Sequence, residues 1–126
     1  MRKRVLVVDD EPDLVTLVES RLNANGYDVV TAYSGAEGLE KCKLLKPDAV
    51  VLDILMPDVD GSTMAAQMKE DPRTRQIPII FLTAIIEPKE VPKNHLVGGR
   101  YFLAKPFESK ELLEMLRWIL PENVML

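Results

Sequence analysis

Ala49-Val50-Val51-Leu52-Asp53-Ile54-Leu55-Met56-Pro57 is the stretch on which the fold turns. Its first four residues are apolar, and the run lies between Pro47 and Pro57, so it reads as a short buried strand. A carboxylate does not belong inside such a strand unless something pairs it. Asp53 therefore marks where the strand stops and a site begins.

Working outward, other apolar runs end in the same way. Val5-Leu6-Val7-Val8 runs into Asp9-Asp10-Glu11, Ile77 to Leu82 runs into Thr83-Ala84, and Arg100 to Ala104 runs into Lys105-Pro106. Tyr27 to Ala32 is a further short strand, followed by Tyr33-Ser34. Helical patterns separate these runs. Pro12 suits a first helical turn, Leu14, Leu17, Val18 and Leu22 share a face, and Asn25-Gly26 stops the helix. Ser34 and Glu37 form a capping box for a helix through Lys46. A third helix is expected from Ser62 to Glu70, where Asp71-Pro72 breaks it. The last runs from Glu108 to Leu120, with Leu112, Leu113, Leu116, Ile119 and Leu120 inward. Residues 85–99 contain Pro88 and Pro92, which exclude a long regular helix, so a short one starting near either proline is expected. Strands that alternate with helices and are apolar on both faces call for a parallel sheet covered on both sides, a doubly wound α/β fold.

The chain of 126 residues shows no repeat, low-complexity run or linker, and one domain over residues 1–126 is expected. A net charge of −4 argues against nucleic acid or an anionic membrane as the main partner. Cys42 is the sole cysteine, so no intramolecular disulfide forms and a reducing compartment fits. The basic start Met1-Arg2-Lys3-Arg4 precedes an apolar run too short for a signal peptide or a membrane span. The expected location is the cytoplasm.

Ligands of open α/β sheets bind at the carboxyl ends of the strands. Here those ends carry Asp9, Asp10, Asp53, Thr83 and Lys105. In a 2-1-3-4-5 strand order the Asp53 strand is central and Asp53 is surrounded. Carboxylates at about 4 Å repel by roughly 4 kcal/mol per pair at an effective dielectric near 20. A cation must occupy such a cluster, and oxygen ligands of this kind suit a hard divalent ion such as Mg2+. A phosphoryl group arriving there would meet a metal, an amine and a hydroxyl around a carboxylate nucleophile, the parts needed for phosphoryl transfer to aspartate. Any one of these residues alone reads as a cap, a strand residue or a solvated charge; the joint placement carries the inference.

With these residues in view, the chain resembles the receiver domain of two-component response regulators along nearly its whole length. The resemblance rests on Val7-Val8-Asp9-Asp10-Glu11, Asp53-Ile54-Leu55-Met56-Pro57 with Asp60-Gly61, Ile79-Ile80-Phe81-Leu82-Thr83-Ala84, and Lys105-Pro106-Phe107. It implies a flavodoxin-like (βα)5 fold with a five-stranded parallel sheet. It also implies Mg2+-dependent phosphorylation by a sensor histidine kinase or a histidine phosphotransfer protein. The domain would be a signalling switch rather than an enzyme, catalysing only its own phosphorylation and slow dephosphorylation. The resemblance makes Asp53 the phosphoacceptor and gives Mg2+ to Asp9, Asp10, Asp53 and the Leu55 carbonyl. Thr83 would bond a phosphoryl oxygen and move on activation, Lys105 would pair with the phosphate, and the Lys105-Pro106 bond would be cis. The signal would be read through the fourth helix, fifth strand and fifth helix by an output domain or protein.

The switch aromatic of the family falls on Phe102, which lacks a hydroxyl, while Tyr101 points to the other face. The positions that border the path of the hydrolytic water are Leu55 and Ile85, both apolar, so a long-lived acyl phosphate is expected. On a helical wheel Trp118 lies at about 240° from Leu112, outside the apolar arc. It is a candidate interaction surface, including for a homodimer formed on phosphorylation. His95 is expected at the surface, and Cys42 and the methionines Met56, Met64, Met68 and Met115 are expected to pack. Three other readings weaken on particular residues. A haloacid dehalogenase-type phosphatase wants an aspartate where Leu55 stands, and a flavodoxin phosphate loop would be repelled by Asp10-Glu11. A phosphorylation-independent interaction module does not need the full set of Asp9, Asp10, Asp53, Thr83 and Lys105.

Overall fold

The computed structural model describes residues 2–84, 96–97 and 100–120. One sheet holds β1 (Arg4–Val8), β2 (Asp28–Ala32), β3 (Ala49–Asp53), β4 (Ile79–Thr83), β5 (Leu96–Val97) and β6 (Arg100–Ala104). The strand order is β2-β1-β3-β4-β6-β5. All but β5 are parallel, and with β6 as the fifth parallel strand the order is the expected 2-1-3-4-5. The helices among the described residues are α1 (Pro12–Ala24), α2 (Gly35–Leu45), α3 (Gly61–Glu70) and α4 (Ser109–Ile119), the last being the fifth helix of the expected pattern. The short helix expected within residues 85–99 lies outside the described residues, save for Leu96 and Val97, which are strand.

β5 adds to the five expected strands. It runs antiparallel to β6, with Leu96 opposite Tyr101 and Val97 opposite Arg100. A two-residue strand is too short to show an alternating pattern, which is why the sequence reading passes over it.

Alternation along each strand splits the core into two layers. Val5, Val7, Val51, Ile80, Leu82 and Leu103 face α1 and α4, where they meet Val18, Leu22, Leu112 and Leu116. Leu6, Val8, Val50, Leu52, Ile79 and Phe81 face α2 and α3, where they meet Cys42, Met64 and Met68. Every residue of β3 is buried, as a central strand covered on both faces requires.

The helix faces follow the sequence with two corrections. In α1 the buried residues are Val15, Val18 and Leu22, whereas Leu17, expected inward, is 49% exposed. Leu17 sits about 140° around the helix from Leu22 and cannot share its face. At the start of α2 Ser34 Oγ accepts from the Glu37 amide at 3.2 Å, but the Glu37 carboxylate accepts from the Tyr33 amide at 2.8 Å, one residue earlier than a capping box requires. Lys41 holds Glu37 in that pose with an ion pair of 2.9 Å. In α4 Leu112, Leu113 and Leu116 are buried with Met115, and Ile119 and Leu120 pack at the margin. No helix among the described residues is long and apolar enough to cross a membrane.

The register is what prepares the site. Val8 lies beside Leu52, Asp53 beside Leu82, and Thr83 beside Ala104. The residues that follow β1, β3, β4 and β6 therefore emerge level, along one edge of the sheet.

Candidate functional site

Asp9 continues β1 by one residue, its amide donating to the Ala32 carbonyl at 3.2 Å. Its side chain is fully buried: Oδ1 accepts from the Glu11 amide at 3.0 Å, and Oδ2 accepts from Lys105 Nζ at 2.9 Å. Asp53 is buried at the end of β3, and Asp10 is exposed beside it. Carboxylate oxygens of Asp9, Asp10 and Asp53 all lie within 4.8 Å of one another. Lys105 Nζ lies 3.5 Å from Asp53 Oδ1 and donates to Glu11 Oε1 at 3.1 Å. The Lys105 amide donates to the Thr83 carbonyl at 2.8 Å, and the Lys105-Pro106 bond is cis, as the resemblance implies.

Burial and the neighbouring charge of Asp9 push the Asp53 carboxyl up to about 6, with Asp10 adding to the effect and Lys105 opposing it. For Lys105, burial works against the ammonium, but hydrogen bonds to Asp9 and Glu11 and the charges of Asp9 and Asp53 hold it above the ordinary lysine range. One ammonium thus faces three carboxylates, those of Asp9, Glu11 and Asp53, with Asp10 in the same cluster. The donor set is all hard oxygen with surplus negative charge, which fits a small divalent cation.

The loop between β3 and α3 is fastened at several points. The Ile54 amide donates to the Leu82 carbonyl at 3.1 Å, and the Gly61 amide closes back on the Ile54 carbonyl at 2.8 Å. A Cβ on Gly61 would run into the Asp53 carbonyl, so only glycine lets α3 start this close to Asp53. Met56 is buried and anchors the loop, while Leu55 is 58% exposed beside the acidic cluster. The Asp58 carboxylate accepts from the Gly35 and Ala36 amides at 3.3 and 3.2 Å, tying the loop to the first turn of α2.

The remaining residues singled out by sequence fall at different distances from this cluster. Thr83 is buried at the end of β4, on the same edge. Phe102 lies farther back on β6, on the α2–α3 side, its ring stacked on Phe81 with centroids 5.4 Å apart. Tyr101 packs on the opposite side. Trp118 is 62% exposed and lines a hollow with Leu96, Tyr101 and Ile119. Cys42 is buried, and burial followed by the charge of Asp71 raises its thiol to about 11. Ile85 and His95 lie outside the described residues. Glu11 and Asp58 are contributors that the sequence reading does not single out. Glu11 adjoins the acidic pair, so its position in the sequence is a signal; Asp58 acts on a helix 22 residues away and leaves no local signal.

Comparison with known proteins agrees with this geometry. Residues 5–117 match the response regulator receiver domain family. The chain is 38% identical over 120 residues to the alkaline phosphatase synthesis transcriptional regulatory protein PhoP of Bacillus subtilis, covering 95% of this chain and 49% of that protein. It thus spans about half the length of that relative. Among solved structures, the chemotaxis protein CheY4 of Vibrio cholerae superposes with a TM-score of 0.82 at 30% identity, covering 95% of this chain and 100% of that one. The receiver domain of a sensor histidine kinase from Pseudomonas aeruginosa, solved with a magnesium ion coordinated in the active site cleft, superposes with a TM-score of 0.79 at 29% identity, covering 94% and 98%. With the match covering most of its length, the chain belongs to the response regulator receiver domain family of two-component systems.

Proposed function

We propose that this receiver accepts a phosphoryl group on Asp53 from a sensor histidine kinase or a histidine phosphotransfer protein in the cytoplasm, and that the change alters its partner affinity. The observation that carries this reading is the buried Asp53 carboxylate set within 4.8 Å of Asp9 and Asp10, with the Lys105 ammonium beside it. Above about pH 6 Asp53 is ionised and its oxygen is nucleophilic. That oxygen attacks phosphorus, the bond from phosphorus to the donor breaks, and its electron pair leaves with the donor. Lys105 pairs with the transferred oxygens, and the Thr83 hydroxyl donates to one of them. Mg2+, when bound, neutralises phosphoryl charge during transfer. Asp9, Asp10, Asp53 and the Leu55 carbonyl would hold it.

Incubation with acetyl phosphate and Mg2+, followed by mass measurement, tests the chemistry. One added phosphate on the wild type and none on Asp53→Ala is expected. An unmodified wild type would leave the phosphorylation-independent module as the better reading.

Two finer points follow from the same site. Leu55 is apolar and cannot orient a water at the phosphate, so the acyl phosphate is long-lived, and Leu55→Asn should shorten its half-life. Readout runs from Thr83 and Phe102 to the surface of the fourth helix, fifth strand and fifth helix, where an output domain or, through Trp118, a second copy binds. If self-association on phosphorylation is the same in Trp118→Ala and wild type, the dimer contact is elsewhere.

A further inference from the structure

The Asp58 carboxylate lies outside the acidic cluster, yet it reaches across to another element. It accepts from the amides of Gly35 and Ala36, the first two residues of α2. These amides have no partner inside their own helix, and a carboxylate there also complements the helix dipole. Ser34, the N-cap, serves a different amide, that of Glu37. The next loop residue, Val59, presses its carbonyl against Gly35 so closely that a Cβ there would collide with it. The loop between β3 and α3 is therefore seated on the start of α2 by a hydrogen-bonded carboxylate and a backbone contact that only glycine permits. Helix α2 is fixed in turn by Cys42 and Gly38, packed against the α2–α3 face of the sheet. The same loop carries Leu55, whose carbonyl the proposed function gives to the cation.

We propose that Asp58 is a positioning residue for the cation site: by latching the β3–α3 loop to α2 it holds the Leu55 carbonyl in place for Mg2+. The proposal rests on the reading of this cluster as a Mg2+ site. Asp58 touches neither metal nor phosphate. Its effect is carried by loop geometry, as outer partners of metal ligands generally act.

Mg2+ titration by calorimetry, well below the unfolding temperature, tests this in wild type, Asp58→Ala, Asp58→Asn and Gly35→Ala. Asp58 is exposed, so its variants keep the core intact. Asp58→Ala should weaken Mg2+ binding by about 3- to 10-fold, below the roughly 10- to 100-fold of a partner bonded directly to a ligand, because Asp58 acts through the loop. Asp58→Asn, which keeps one acceptor oxygen, should lose less. Gly35→Ala leaves every carboxylate in place and should also weaken binding, by pushing the loop off α2. A purely structural role would lower the unfolding temperature of Asp58→Ala while leaving its Mg2+ affinity unchanged, and that result overturns the proposal. Equal losses in Asp58→Ala and Asp58→Asn with none in Gly35→Ala would mean that only the charge matters, and also overturn it. If wild type binds no Mg2+, the cation reading and this proposal fall together. If wild type binds Mg2+ and is phosphorylated but the variants match it, only the latch falls.

Discussion

The Asp53 carboxyl ionises near pH 6 in the folded chain, against 3.8 for the ordinary side chain, because burial and Asp9 both disfavour its charge. The folded state therefore holds this proton more tightly than the unfolded state. Its ionisation costs nothing below about pH 3.8, the cost grows between 3.8 and 6, and it is fully present above 6. Two pKa units correspond to about 3 kcal/mol. In metal-free protein, Asp53→Asn should raise the unfolding free energy by about 2–3 kcal/mol at pH 7.5 and by far less at pH 4.5. Urea titrations at the two pH values check this, and an equal gain at both would show that the carboxylate is not strained. Cys42 presents the opposite case, a group held inert. Its buried thiol, raised to about 11, should resist iodoacetamide at pH 8 in native protein and react on unfolding, as mass measurement would show.

At the scale of elements, α2, α3 and α4 each begin with a side-chain oxygen supplied to free amides. Asp60 accepts from the Thr63 amide at 2.8 Å and starts α3 directly after the loop. Losing that acceptor in Asp60→Ala should cost about 1 kcal/mol by chemical denaturation. α2 draws on Ser34 from its own sequence and on Asp58 from the neighbouring loop. α4 uses Glu111, whose carboxylate accepts from the Glu108 amide at 3.2 Å. Caps within three residues are legible in sequence as side-chain type and spacing. A cap delivered from another element is not, since nothing near Gly35 announces Asp58.

For the whole molecule, α4 closes one face of the sheet while offering its far side to solvent. Leu116 is fully buried between α4, α1 and the strands, whereas Trp118, two residues on, is 62% exposed. Leu116→Ala should destabilise by about 2–5 kcal/mol, as large-to-small core changes do. Trp118→Ala should change stability by no more than about 0.5 kcal/mol. A comparable loss from both, in urea unfolding, would contradict this division of the helix.

By itself the sequence determined the parallel sheet and which residues stand at the carboxyl ends of its strands, while the 2-1-3-4-5 order came from the family resemblance. Hydrophobic runs ending in Asp9, Asp53, Thr83 and Lys105 are local patterns, and the observed strand register brings their ends together. It also determined the face of α4, because five apolar positions define an arc that excludes Trp118. Only the tertiary structure decided how the charges divide. Lys105 bonds to Asp9 and Glu11 and stands farther from Asp53, a choice set by side-chain reach across three elements. It likewise decided that β5 extends the sheet and that Asp58 serves α2. Each of these depends on contacts between residues distant in sequence, or on elements too short to carry a period, and neither leaves a pattern along the chain.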